Sequence, residues 1–132
     1  MLRTVLAIPA GLVVGGIVIS FVQVAAITLL PLPEGVPTDR ASIEPGDIPA
    51  VNMAFVLIAW AAGAFAGGGT AARVTRRAKR RLALIVGAFF LIAGVYNMAT
   101  IPSPLWFWVV GILLFLPSAH LGAKTLGGPE EP

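Results

Sequence analysis

Cysteine is absent from the 132-residue chain, and charged residues are scarce. Without cysteine the chain can form no disulfide, thiolate metal site or thiol redox centre. Charged residues make up only 11% of the sequence, whereas soluble domains carry about a quarter. Hydrophobic residues account for 58%, and the mean hydropathy is +0.93. This composition predicts a single integral membrane domain.

The apolar stretches contain no Asp, Glu, Lys or Arg, and His120 is the chain's only histidine. Proton relays, coupled-ion sites and substrate counter-charges in transporters need ionisable groups inside the membrane. An intramembrane hydrolase needs a Ser/His, paired-Asp or metal constellation. We therefore expect a protein that is not an enzyme and that holds no metal and no cofactor.

Four apolar segments approach or exceed the roughly 20 residues that cross a hydrocarbon core. We predict an all-α integral membrane protein, an antiparallel bundle of four transmembrane helices within one domain, residues 1–126. Arg3 ahead of the first segment would also suit a signal peptide, but the apolar stretch exceeds the usual core of about 7–15 residues. The helices are expected at about 5–30, 50–72, 82–101 and 105–121.

Two segments differ in composition from these helices. Residues 31–49 contain five prolines and four acidic residues, which cannot form a membrane helix and predict an exposed, irregular outer loop. Residues 127–132 read Gly-Gly-Pro-Glu-Glu-Pro and are expected to form a flexible cytoplasmic tail.

Basic residues are concentrated in one run, residues 73–81, between the second and third segments. The predicted helices place eight of the nine basic residues on one face and leave Arg40 on the other. Because bases in short loops stay in the cytoplasm, both termini and this inner loop are expected inside. Lying beside hydrophobic segments, the run suits anionic lipid headgroups rather than nucleic acid. Its bases are Arg73, Arg76, Arg77, Lys79, Arg80 and Arg81.

Small residues recur every four positions in two of the segments. The row Ala59, Gly63, Gly67 and Ala71 lies on one helical face, and Ala7, Gly11 and Gly15 form a similar row. Such faces let two backbones approach closely. We predict a close crossing of the first two helices, with a homo-oligomer interface as the less favoured alternative. The predicted packing residues are Gly11, Gly15, Gly63, Gly67, Gly87 and Gly94.

The triplet Gly67-Gly68-Gly69 could also suggest a loop that cradles phosphate. No strand precedes it, and no Lys-Ser/Thr pair follows at the P-loop spacing. The triplet is instead expected to loosen the inner end of the second helix.

Five polar residues fall in the outer half of the predicted spans: Gln23, Thr28, Asn52, Tyr96 and Asn97. The candidate polar cluster consists of Gln23, Asn52, Tyr96 and Asn97. If they faced inward, they could line an outward-facing pocket. The favoured interpretation is an interhelical hydrogen-bond cluster, worth about 0.6 kcal/mol per bond.

Four segments cover most of the second half of the chain: Gly63–Arg73, Arg81–Gly94, Ile101–Gly111 and Leu116–Gly122. Together they resemble a group of small four-helix proteins of the bacterial inner membrane. The resemblance implies a location in the bacterial inner membrane and a fold of four helices. It carries over no activity and no functional residue. We expect a structural or accessory subunit of a larger membrane assembly, with other subunits or further copies as partners. The alternative is an oligomeric channel or carrier for a small neutral or weakly polar solute.

Overall fold

The computed structural model describes residues 2–31, 34–35, 48–75, 77–100 and 104–127. Within them the regular structure is helical, and each of the four helices is long and apolar enough to cross a membrane. Most of the expected outer loop, the turn at 101–103 and the tail beyond residue 127 lie outside the described residues. The helices are α1 (Leu2–Leu29), α2 (Ala50–Val74), α3 (Lys79–Thr100) and α4 (Leu105–Leu126).

Each helix extends at one end past the apolar segment that suggested it, and α3 and α4 are two examples. α3 begins at Lys79, inside the basic run, and α4 continues to Leu126. Gly127 then donates its N–H to the Ala123 carbonyl at 3.0 Å. Apolarity marks the part of a helix that suits lipid, whereas the helix itself continues as long as its N–H groups find carbonyls.

The second helix, α2, is the centre of the structure because it makes the most extensive contacts with its neighbours, chiefly with α1 and α4. α1 and α4 each lie against α2 and α3. In the most apolar part of α2, 39% of the residues are buried, against 17% in α1. The small residues of α2 allow this central position, since they leave room for neighbouring backbones on several sides.

Glycine rows bring α1 and α2 together. A Cβ atom added to Gly11 would lie 2.6 Å from the carbonyl oxygen of Gly67, and one added to Gly15 would lie 2.7 Å from that of Gly63. No larger residue fits at these distances without moving a backbone. Rising residue numbers in α1 meet falling numbers in α2, so the two helices run in opposite directions.

The glycine triplet of α2 lies inside a continuous helix that ends at Val74. Its three members face two different neighbours, since successive helical residues point about 100° apart. Gly67 faces α1, whereas an added Cβ at Gly68 would lie 2.5 Å from the Ala119 oxygen of α4, and one at Gly69 would lie 3.1 Å from that of Gly122. The expected loosening is therefore a wrong interpretation, because the triplet supports close packing on two sides.

The two predicted packing glycines of α3 face α4. An added Cβ at Gly87 would lie 2.8 Å from the Ala119 side chain, and one at Gly94 would lie 2.7 Å from the Phe115 ring. Ala119 therefore lies between Gly68 of α2 and Gly87 of α3. All six predicted packing glycines are buried at helix contacts within the chain.

Aromatic side chains fill the part of the core nearest the α1–α2 connection. Trp60 stacks on Phe115 with ring centroids 5.3 Å apart and meets Phe107 edge-on at 5.3 Å. These residues and Met98 are buried in one cluster. Large rings therefore occupy one end of the core, whereas small residues bring the helices together at the other.

Neighbouring glycines of α1 provide a matched test of this packing. Gly15→Ala should destabilise the protein by about 1–3 kcal/mol, because the new methyl group collides with the Gly63 carbonyl. Gly16→Ala should be neutral or stabilising by up to about 1 kcal/mol, since nothing lies within 4 Å of its added Cβ. SDS denaturation in mixed micelles, followed by circular dichroism, measures both. Equal effects would contradict the close contact.

Candidate functional site

A cleft lined by three polar residues and several apolar ones lies between α1 and α3 and has a volume of about 330 Å³. Ser20 and Gln23 of α1 and Asn97 of α3 supply its polar groups. The remaining lining is mainly apolar, with the rings of Trp60, Phe90 and Phe115. All four helices thus contribute to this cleft. It contains two of the residues, Gln23 and Asn97, that the sequence suggested for an outward-facing pocket.

The four predicted polar residues do not form one cluster. Gln23 and Asn97 line the cleft, whereas Asn52 donates its Nδ2–H to the Leu30 carbonyl at 2.9 Å. Tyr96 is 70% exposed. Adjacent residues on a helix point about 100° apart, which separates Tyr96 from Asn97. Asn52 instead satisfies a carbonyl at the end of α1.

The polar side chains of the cleft can form hydrogen bonds, and the rings of Trp60 and Phe115 close its inner side. Side-chain amides can donate and accept, and the Ser20 hydroxyl can do both. The volume lies near the lower end of small-molecule sites, which is about 300 Å³. Below the polar groups, the stacked pair of Trp60 and Phe115 fills the space between the helices. A small polar group could enter the cleft from the side.

The ammonium group of Lys79 lies at the opposite end of the structure, between the ends of two helices. Its Nζ donates to the carbonyl oxygens of Ala72 at 2.6 Å, Thr75 at 2.9 Å and Gly127 at 3.0 Å. The last carbonyls of a helix have no partner within it and carry partial negative charge. With three N–H donors, Lys79 caps α2 and α4 together. We call this end of the molecule the basic end.

The chain turns sharply between α2 and α3. Ala78 has φ 54°, in the left-handed region that residues with a side chain seldom adopt. Its carbonyl accepts the N–H of Leu82 at 3.0 Å, which starts the hydrogen-bond ladder of α3. This turn places Lys79 directly over the end of α2, where its side chain reaches the carbonyl groups.

Two arginines and two threonines also bind at the basic end. Arg3 Nε donates to the Val74 carbonyl at 2.8 Å, and Arg73 Nη1 donates to the Leu126 carbonyl at 3.2 Å. The buried Thr75 hydroxyl donates to the Arg77 carbonyl at 2.8 Å and lies 3.4 Å from Thr4 Oγ1. These bonds connect the start of α1 with the ends of α2 and α4.

The basic run therefore divides into groups with different positions. Arg73 and Lys79, expected to contact lipid headgroups, bind helix carbonyls. Arg77, Arg80 and Arg81 are exposed, and Arg76 lies outside the described residues. The capping role of Lys79 was missed because total charge reveals nothing about helix ends. A usable signal was present, since basic residues are favoured near helix C-termini.

Metal-ligating side chains do not come together in the described ranges. Within residues 2–31, 34–35, 48–75, 77–100 and 104–127, no three His, Cys, Asp or Glu side chains could together hold a metal ion. The Nδ1 atom of His120 is buried without a hydrogen-bond partner among those residues. A single imidazole in this position does not constitute a catalytic site.

The four helices are long and apolar enough to cross a membrane, which is consistent with the class of multi-pass membrane proteins. No protein-family model, curated protein or solved structure matches the chain. Its function is therefore inferred from the positions of its own residues.

The contribution of the three hydrogen bonds donated by Lys79 can be tested by comparing this lysine with a second one at the same end of the molecule. Lys79→Met should lower stability by about 2 kcal/mol, because hydrogen bonds to charged groups contribute about 1.5–3 kcal/mol and three carbonyls lose their donor. Lys124→Met removes the same charge from an exposed position of α4 and should have little effect. The same denaturation assay measures both variants, and equal losses would contradict the cap.

Proposed function

We propose that the chain forms an antiparallel four-helix bundle in the bacterial inner membrane, with both termini and the basic end in the cytoplasm. Its function is that of a non-enzymatic structural or accessory subunit of a larger membrane assembly. The placement is supported by the four apolar helices and by the bias of eight basic residues to one side against Arg40 on the other.

The cleft beside α1 is the observation that carries the accessory role. In the bilayer, Ser20 and Gln23 would face hydrocarbon, where polar groups are costly unless they are hydrogen-bonded. Next to them, an added Cβ at Gly16 meets nothing within 4 Å, so a foreign backbone could approach closely there. A partner helix along α1 would satisfy the amide and pack against the glycine.

An oligomeric channel or carrier for a small neutral solute is the second candidate. The polar groups of Gln23 and Asn97 favour it, because they could bind such a solute in the cleft. The aromatic floor at Trp60 and Phe115 would direct the path to the side of the bundle. A continuous path would then form between two or more copies of the chain.

The proposed orientation is tested by introducing single cysteines, which is clean because the chain has none of its own. Ser42→Cys should react with a membrane-impermeant thiol reagent on spheroplasts. Thr125→Cys should react only after the membrane is permeabilised. The reverse pattern would contradict cytoplasmic placement of the basic end.

The two candidate functions are separated by native mass spectrometry of gently extracted protein. As an accessory subunit, the wild-type chain should retain a stoichiometric foreign protein, and Gln23→Leu should release it. Tyr96→Leu removes an exposed polar group outside the cleft and should leave the complex intact. A homo-oligomer without a foreign subunit would contradict the accessory role. Solute flux lost on Asn97→Leu would then support the channel.

A further inference from the structure

A second groove lies along the surface of α3 at the basic end and has a volume of about 650 Å³. Two arginines lie at one end of it, and apolar side chains continue toward the middle of the helix. Positions 81, 84, 85 and 88 follow the helical spacing of a single face. The groove is lined by Ala78, Arg80, Arg81, Leu84, Ile85 and Ala88.

The arginines of this groove differ from the other bases of the run. Arg73 and Lys79 donate to helix carbonyls, whereas Arg80 and Arg81 are exposed. Among the residues that the structure describes, Glu34 is the single carboxylate side chain, and it follows the far end of α1. The groove therefore combines positive charge at one end with an apolar surface along the helix.

We propose that this groove binds an anionic phospholipid of the cytoplasmic leaflet. Arg80 and Arg81 hold its phosphate, since the guanidinium group forms paired hydrogen bonds with phosphate oxygens. The first part of an acyl chain lies along Leu84, Ile85 and Ala88. This site rests on the proposed membrane orientation and narrows the lipid contact from the whole basic run to two side chains.

The shape of the groove argues for a phospholipid rather than for an acidic protein segment. A phospholipid has its charge and its hydrocarbon covalently joined in the order that the groove presents them. The positive end of the α3 dipole lies beside the arginines and favours the same negative charge. An acidic peptide would use the arginines and leave the apolar part of the groove uncovered.

The test uses the full chain in detergent, with added phosphatidylglycerol or phosphatidylcholine and native mass spectrometry as the readout. The wild-type chain should prefer phosphatidylglycerol. The double variant Arg80→Gln/Arg81→Gln should bind it about thirtyfold more weakly, at about fivefold for each basic residue lost. The control Arg77→Gln/Lys124→Gln removes the same charge outside the groove and should keep the wild-type affinity. Circular dichroism verifies that both variants are folded.

A second pair of measurements tests the apolar part of the groove. Ala88→Phe fills it without changing charge and should weaken phosphatidylglycerol binding, while glycerol phosphate should bind wild type and variant equally weakly. Equal losses in the two double variants would overturn the site in favour of diffuse attraction. Glycerol phosphate binding as tightly as the phospholipid, or an acidic peptide outcompeting it, would overturn the lipid assignment.

The lipid site and the proposed orientation can fail separately. Lipid preference in detergent does not depend on which way the chain crosses the membrane, whereas cysteine labelling depends on that alone. Reversed labelling with intact phosphatidylglycerol preference would overturn the orientation and the cytoplasmic leaflet. Expected labelling without that preference would overturn the lipid site and leave the proposed function standing.

Discussion

Close approach of the α2 backbone to its neighbours is the constraint on which the rest of the structure depends. Gly67 and Gly68 leave room for α1 and α4 on different sides of the same helical turn. In the proposed membrane location, apolar side chains would gain little by leaving lipid for the helix contacts, so close backbone packing would supply the association energy. Near the α1–α2 connection, Trp60 and Phe115 replace these small residues, and the polar cleft lies above their rings.

The helices could be predicted from the sequence because long apolar segments signal a membrane span regardless of how they pack. The glycine rows were also informative, since a spacing of four residues fixes a shared face, and the structure brings Gly11 against Gly67. The polar residues could not be grouped in this way. Residues at a similar depth in the predicted membrane can point in different directions around the helix axis. Tyr96 is exposed, for example, whereas the next residue, Asn97, lines the cleft.

The basic run shows where composition stops being informative. Its total charge indicates a side of the membrane, but the role of each base depends on where the helices end. The left-handed turn at Ala78 sets the start of α3, and this start decides that Lys79 reaches carbonyl groups while Arg80 and Arg81 remain on the surface. Nothing in the local sequence marks Ala78, because alanine has no preference for that conformation.

The three bonds of Lys79 also imply an order of assembly during synthesis. Ala72 and Thr75 precede the lysine in the chain, so two of its carbonyl partners are already in place when α3 emerges. Gly127 follows 48 residues later, which means that the third bond waits until α4 has been synthesised. The bond to the Gly127 carbonyl therefore forms later than the bonds to Ala72 and Thr75, and it joins the start of α3 to the end of α4.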